Sequence, residues 1–281
     1  MSFPSTVYLD TNATITTSAT QKFALGTRGL TPDGRVFHYA RAGEAISVGR
    51  LVMAKTQMEW GIASTNAALS TDGALAQTAG LTSTWDRIVL SSTWSAFSPP
   101  SSTGVTADLF KDGMAWVAKG TGYGQAVRIK SNTTGSTGVA GQSVTIVFKD
   151  NDRFSASLTT ANEFAITTSQ YDRVTMDIGA TFAIGGTATN CVGVAPVAVA
   201  SGYYFWAQTW GMCPVLAVGT LVLGQEVVQS TDANTTGGVS AGVTSSTGLE
   251  MYSALRRPAI GDVIVVGTDA EFALINLKIA P

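Results

Sequence analysis

A chain of 281 residues with a net charge of −2 is long enough for one large β domain or two small ones. Its charge balance gives no basis for a nucleic-acid-binding surface, and its N-terminus lacks the basic and apolar regions of a secretion signal. Charged residues make up 13% of the chain, about half the usual share. We therefore expect part of the surface to be covered in an assembly, although an ordinary β sandwich also explains this composition.

The first 25 residues are rich in Thr and Ser and have scattered apolar side chains without a clear period. Such a segment cannot form its own core. We interpret residues 1–25 as an extended N-terminal arm that is mobile in the isolated protein and reaches a neighbouring subunit. Its candidate contacts are Phe3, Val7, Tyr8 and Leu9.

The remaining residues, 26–281, are interpreted as a β domain punctuated by turns. Asp33 and Gly34 follow Thr-Pro and predict a tight turn, and Asp112 with Gly113 predicts a hairpin turn at positive φ between two apolar runs. His38, the only histidine, lies in the strand after the first turn and is interpreted as half-buried or interfacial.

The span 202–224 is apolar on both faces and predicts two adjacent strands in the middle of the core. Tyr204, Trp206 and Trp210 share one face under strict alternation, and we predict that they are core residues together with Trp116. Gly, Pro, Asn, Gln and Thr interrupt this span repeatedly, so it does not predict a membrane helix.

Many short strands separated by turn residues, with almost no helical periodicity, predict an all-β fold. We expect an antiparallel sandwich or barrel-like sheets, of the jelly-roll type or a related one. One spacing recurs in a strand–turn–strand context, in Ile46, Gly49 and Val52 and again in Leu221, Gly224 and Val227. If this is a structural repeat, residues 26–84 with 200–281 form one sheet system and residues 85–199 form another.

No residue set predicts catalysis, a cofactor site or a metal site. Gly238–Gly242 matches G-x-S-x-G, but the only histidine precedes Ser240 and the surrounding residues 231–248 read as a surface loop or hairpin tip. Asp150 and Asp152 lack the downstream spacing of a Ca²⁺ loop and predict a solvated turn. A pair of catalytic carboxylates, as in glycosidases, remains an open possibility, because such pairs are defined by their distance in the fold and not by their separation in the sequence.

The two cysteines, Cys191 and Cys213, are far apart and form no C-x-x-C motif. We predict buried thiols in a reducing compartment, and a disulfide between them stays open.

Four stretches resemble the capsid decoration, or cement, proteins that tailed bacteriophages encode near the major capsid protein. They are turn-and-strand patterns that cover most of the chain from about residue 30. The stretches are Asp33–Gly43 with Ile46–Val52, Phe110–Val117 with Gly122–Lys130, Gly202–Gly211 with Val218, Gly219 and Gly224, and the closing hairpin to Ile279.

The resemblance implies a non-enzymatic virion protein, made in the host cytoplasm, that binds the exterior of an icosahedral capsid. It implies a homotrimer that contacts the major capsid protein and cements neighbouring capsomers, with no nucleic-acid or membrane partner. One alternative is a fibre, adhesin or carbohydrate-binding protein that uses exposed aromatic residues or loops. A third reading is a β-fold enzyme that acts on glycans.

Overall fold

The computed structural model describes residues 6–54, 61–63, 87–91, 105–134, 143–150, 152–154, 163–176, 190–230, 236–242 and 258–281. Within these residues the chain has sixteen strands and one four-residue helix, and almost all strand pairs are antiparallel. The prediction of an all-β fold with little helix is confirmed.

The chain divides into two compact units, and one interrupts the sequence of the other. The inserted unit spans Gln57–Ser169, and the main unit combines Phe3–Thr56 with Gln170–Pro281. The boundaries of these two units differ from residues 84/85 and 199/200, where the hypothesised sheet systems would meet. The reason is strand pairing, because Gly61–Ala63 pairs within the inserted unit and Cys191–Ala195 pairs within the main unit.

The inserted unit contains a six-stranded antiparallel sheet. Its core contains the rings of Phe110, Phe148 and Phe154, which are all buried. The strands are β5 (Gly61–Ala63), β6 (Arg87–Ser91), β7 (Met114–Lys119), β8 (Ala126–Asn132), β9 (Ser143–Phe148) and β10 (Glu163–Thr167). They pair in the order β5-β10-β7-β8-β9-β6.

The main unit contains a ten-stranded sheet in which the long strand β12 (Tyr204–Leu216) pairs with β3 (Val36–Arg41) through its first half and with β16 (Phe272–Lys278) through its second half. The elements are β1 (Thr6–Tyr8), α1 (Thr11–Thr14), β2 (Arg28–Leu30), β3 (Val36–Arg41), β4 (Arg50–Met53), β11 (Cys191–Ala195), β12 (Tyr204–Leu216), β13 (Glu226–Gln229), β14 (Val239–Ala241), β15 (Ala259–Val265) and β16 (Phe272–Lys278).

The main unit contains two structural repeats that share β12, and β1, β2 and β14 add to them. Repeat 1 pairs its strands in the order β4-β11-β12-β3, and repeat 2 pairs its strands in the order β13-β15-β16-β12. Both repeats have a bulge on the middle strand next to a glycine, Gly193 in β11 and Gly261 in β15. The spacing that recurs in the sequence around Gly49 and Gly224 is therefore accompanied by a repeat of whole strands.

Individual backbone hydrogen bonds also recur between the repeats with nearly the same lengths. Ala42 N–H donates to Tyr203 O at 2.8 Å in repeat 1, and Ala217 N–H donates to Glu271 O at 2.7 Å in repeat 2. Gly43 N–H donates to Val174 O at 2.8 Å, which matches Val218 N–H to Val239 O at 2.8 Å. Gly49 N–H donates to Ala195 O at 2.8 Å, which matches Gly224 N–H to Val263 O at 2.9 Å. The repeat is therefore a property of the backbone and not only of the residue pattern.

The inserted unit lies between β4 and β11 of repeat 1. At the equivalent place in repeat 2, the chain has only the short connection from β13 to β14. In repeat 1 the chain leaves after Met53 and returns at Thr175, and these two residues exchange both backbone hydrogen bonds, at 2.8 and 3.1 Å. We expect a chain with residues 57–169 replaced by a short Gly-Ser linker to keep the main unit folded. The two chain ends lie side by side, so a short linker can join them without displacing either one. Circular dichroism and a cooperative thermal transition check this, and a molten spectrum would contradict it.

The prediction of an extended N-terminal arm is corrected, because the described part of this segment packs on its own unit. β1 pairs in parallel with β2, and Leu9 is buried against Phe37 and Trp206. Ser18 and Tyr204 exchange backbone hydrogen bonds of 2.9 and 2.8 Å. The physical reason is that the edge strand β2 offers a partner to the segment within the same chain.

The four predicted arm contacts have different environments. Val7 lies partly buried beside the same apolar cluster as Leu9, whereas the Tyr8 side chain is 82% exposed. Phe3 lies outside the described residues. After Leu9 the chain forms α1, and the Asp10 carboxylate accepts the Ala13 N–H at 2.6 Å as its N-cap.

Asp33 and Gly34 form a turn in which Gly34 has a φ of 84° and donates its N–H to Thr31 O at 3.0 Å. The prediction for the second turn is corrected, because positive φ falls on Asp112 (62°) and not on Gly113. The residues before this turn form further turns rather than a strand, so it is not a two-residue hairpin. Glycine is needed at 113 because an added Cβ would lie 2.0 Å from Thr167 O.

Candidate functional site

The aromatic residues of the predicted core separate into buried and exposed members. Trp206 is 4% exposed and packs against Phe23 and Tyr39, with ring centroids 5.3 and 5.0 Å away. Tyr204 is only half-buried and stacks on Tyr39 at 5.8 Å. This cluster fixes the first half of β12 against β3, so its role is packing.

Trp210 is not a core residue, since 37% of it is exposed. The register of β12 against β3 shifts between Gln208 and Trp210, and the intervening Thr209 is fully buried. The bulge breaks the two-residue alternation on which the prediction depended. Trp116 is also only half-buried, because its neighbours in β7 take the core face.

His38 lies half-buried in β3, in a polar niche of the main unit. Its ring stacks on Tyr171 with centroids 5.1 Å apart, and Nδ1 lies 3.2 Å from the Thr209 hydroxyl oxygen. Burial, with a smaller contribution from the Arg28 charge, lowers the pKa of His38 to about 4. The imidazole is therefore neutral at pH 7, and it takes part in ring stacking and one hydrogen bond.

The carboxylates of the predicted solvated turn are paired with cations from strand β8. Asp152 accepts two hydrogen bonds from the Arg128 guanidinium, at 2.7 and 3.0 Å, and these bonds lower its pKa. Asp150 accepts one from Lys130 at 2.9 Å, which lowers its pKa in the same way. Within the described residues no group of three His, Cys, Asp or Glu side chains could hold a metal ion.

Two other sequence features have structural roles in the described residues. Ser240, from the G-x-S-x-G match, pairs with Val228 in the middle of β14, so it does not occupy a strand-to-helix turn. Cys213 is buried, Cys191 is partly buried, and both are free thiols. Burial raises the pKa of each thiol to about 12, which makes them poor nucleophiles at neutral pH.

The most distinctive feature for recognition is an exposed apolar surface at the end of repeat 2, which we call the end surface. Its apolar side chains are between 41% and 67% exposed, and the exposed residues Asp269 and Glu271 lie in the turn that precedes β16 beside them. The end surface comprises Val222, Leu223, Ile264, Val265, Val266 and Phe272. Large exposed apolar patches on a protein surface mark sites of interaction.

The backbone brings these residues together through two strand ends and a turn. Gly224, at φ 75°, closes the turn after Leu223 and donates its N–H to Val263 O at 2.9 Å. The turn therefore lies beside the end of β15, where a register shift follows Val263. Phe272 begins β16, and its carbonyl oxygen lies beside Gly267 just after Val266.

The sequence interpretation did not single out the end surface. A signal was present, since Ile264-Val265-Val266 and Val222-Leu223 are apolar runs that do not alternate with polar residues. Such runs are also typical of strands buried on both faces, which is how the neighbouring segments were interpreted. Only the exposed fractions distinguish the two cases.

No helix in the described part of the chain has the length and apolar character needed to cross a membrane. Comparison with family models, with curated proteins and with solved structures gives no match for this chain.

Proposed function

We propose that this chain is a non-enzymatic structural protein of a bacteriophage virion. It binds the exterior of an icosahedral capsid as a homotrimer, contacts the major capsid protein and holds neighbouring capsomers together. The chain needs no cofactor for this task, because clamping is a matter of complementary surfaces. Many weak contacts repeated over a shell add through multivalency, and binding only the assembled lattice opposes its disassembly.

The observation that carries the proposal is the group of exposed apolar side chains in the end surface, on an all-β chain in which only 13% of the residues are charged. Interface cores are depleted in charged residues and keep apolar side chains that solvent would otherwise disfavour. The resemblance of the turn-and-strand stretches to decoration proteins supports the choice of a capsid as the partner.

Addition of the purified protein to phage heads that lack it tests the proposal. We expect the protein to sediment with the heads at hundreds of copies per particle and to raise the temperature at which the heads open. Tail structures from the same phage are the control and should retain little protein. Binding of only a handful of copies, or equal binding to tails, would contradict a role on the shell.

A second candidate function is recognition of a carbohydrate by a fibre or adhesin, and exposed aromatic rings favour it. Tyr123 is 80% exposed in a turn of the inserted unit, and Trp210 is exposed in the main unit. Aromatic faces of this kind stack on sugars. Binding to a glycan array that is lost in Tyr123→Ala or Trp210→Ala, without affinity for heads, would favour this function instead.

A further inference from the structure

The outward face of β12 beyond its bulge presents a tryptophan beside polar side chains. Trp210 lies opposite Lys278 of β16, and Met212 lies opposite Asn276. Antiparallel strand partners point to the same side of a sheet, and the intervening Leu277 is fully buried on the other side. Trp210 and Met212 are 37% and 58% exposed, so the two strands present an open row of side chains to solvent.

The polar residues of this row continue onto β15. Asn276 pairs with Asp262 in the sheet register, and the Lys278 ammonium forms an ion pair with the Asp262 carboxylate, so these two charges neutralise each other. Asn276 is partly exposed, and its side-chain amide forms no hydrogen bond with a described residue. We call Trp210, Met212, Asp262, Asn276 and Lys278 the tryptophan surface.

The backbone that carries Trp210 is fixed from beneath. The buried Gln208 side chain donates its amide N–H groups to Trp210 O at 3.2 Å and to Met212 O at 2.9 Å. Gly211, between these two residues, has a φ of 85°, a conformation that favours glycine. The backbone of the tryptophan surface is therefore ordered before a ligand binds, which lowers the entropic cost of binding.

The chemistry of the tryptophan surface restricts the class of ligand. A purely apolar partner would remove water from Asp262, Asn276 and Lys278 without replacing their hydrogen bonds, which is costly. An ionic ligand would meet two charges that already neutralise each other. A neutral sugar suits both parts of the surface, because its C–H face packs on an aromatic ring and its hydroxyl groups both donate and accept hydrogen bonds.

We propose that the tryptophan surface binds a neutral polysaccharide, with a sugar ring packed on Trp210 and its hydroxyl groups bonded to Asn276 and Asp262. The proposal rests on the second candidate function, recognition of a carbohydrate, and specifies the site and the ligand class. It does not depend on a capsid. Of the two exposed aromatic rings that favour that function, it assigns the stacking to Trp210 and not to Tyr123 of the inserted unit.

Native electrophoresis of the full chain in gels that contain mannan, galactan, xylan or a soluble β-glucan tests the proposal. We expect at least one of these neutral polysaccharides to retard the wild type relative to a gel without polysaccharide. Trp210→Ala should weaken the interaction by at least about tenfold, as is usual when a central aromatic anchor is truncated. Asn276→Ala should weaken it severalfold, and circular dichroism shows that both variants are folded.

Tyr123→Ala is the matched control, because it removes an exposed aromatic ring from the inserted unit, and it should bind like the wild type. Free migration of the wild type in all four gels, unchanged binding by Trp210→Ala or Asn276→Ala, or equal loss in Tyr123→Ala would each overturn the proposal. Sedimentation with phage heads is measured separately. A protein that binds heads but no polysaccharide would therefore contradict the carbohydrate site and leave the capsid function standing.

Discussion

Trp206→Ala is expected to destabilise the main unit by roughly 3–5 kcal/mol, the cost of truncating a large buried aromatic side chain. Trp206 is almost fully buried, and its indole contacts the rings of Phe23 and Tyr39. Leu9 belongs to the same cluster, so the cavity would also loosen the N-terminal segment. We expect the melting temperature of the main unit to fall by roughly 10 °C, which thermal denaturation followed by circular dichroism measures.

Trp210→Ala is the matched control, because it removes the same side chain from the same strand beyond the bulge at Thr209. Since Trp210 is 37% exposed, its loss should cost clearly less, roughly 1 kcal/mol. Equal losses of stability in the two variants would mean that the bulge at Thr209 does not place Trp210 on the exposed face of β12.

Gly113→Val is expected to destabilise the inserted unit by about 3 kcal/mol or more, at the upper end of overpacking costs. An added Cβ would lie 2.0 Å from Thr167 O and 2.9 Å from Phe110 O. Both are backbone atoms, so they cannot move aside without displacing the turn or the end of β10. Urea denaturation of the full chain, followed by circular dichroism, measures the loss in the transition of the inserted unit.

Gly34→Val separates steric clash from the cost of positive φ. Gly34 has a φ of 84° but no described atom within 4 Å of an added Cβ, so valine there should cost roughly 1–2 kcal/mol from backbone strain alone. If Gly113→Val were no more destabilising than Gly34→Val, the close approach of Thr167 would not be the reason for glycine at position 113.

The sequence by itself determined the fold class and the recurrence within it. Short apolar runs separated by turn residues have few solutions other than stacked or closed β-sheets. The shared spacing around Gly49 and Gly224 also follows from the sequence, because a turn at positive φ requires glycine at the same place in both repeats. The burial of Trp206 and the turn at Gly34 could also be predicted from residues that are close to them in the sequence.

Tertiary structure alone decided the features that require knowledge of strand partners. The bulge at Thr209 moved Trp210 to the exposed face, and alternation along one strand cannot reveal a register shift against another. The N-terminal segment became part of the main unit because β2 offered it a free edge. The Phe272 ring lies on Gly49, whereas no described atom lies within 4 Å of a Cβ added at Gly224, so equivalent turns of the two repeats have different surroundings. Apolar runs look alike in sequence whether they are covered or open, since cover is supplied by residues far away in the chain.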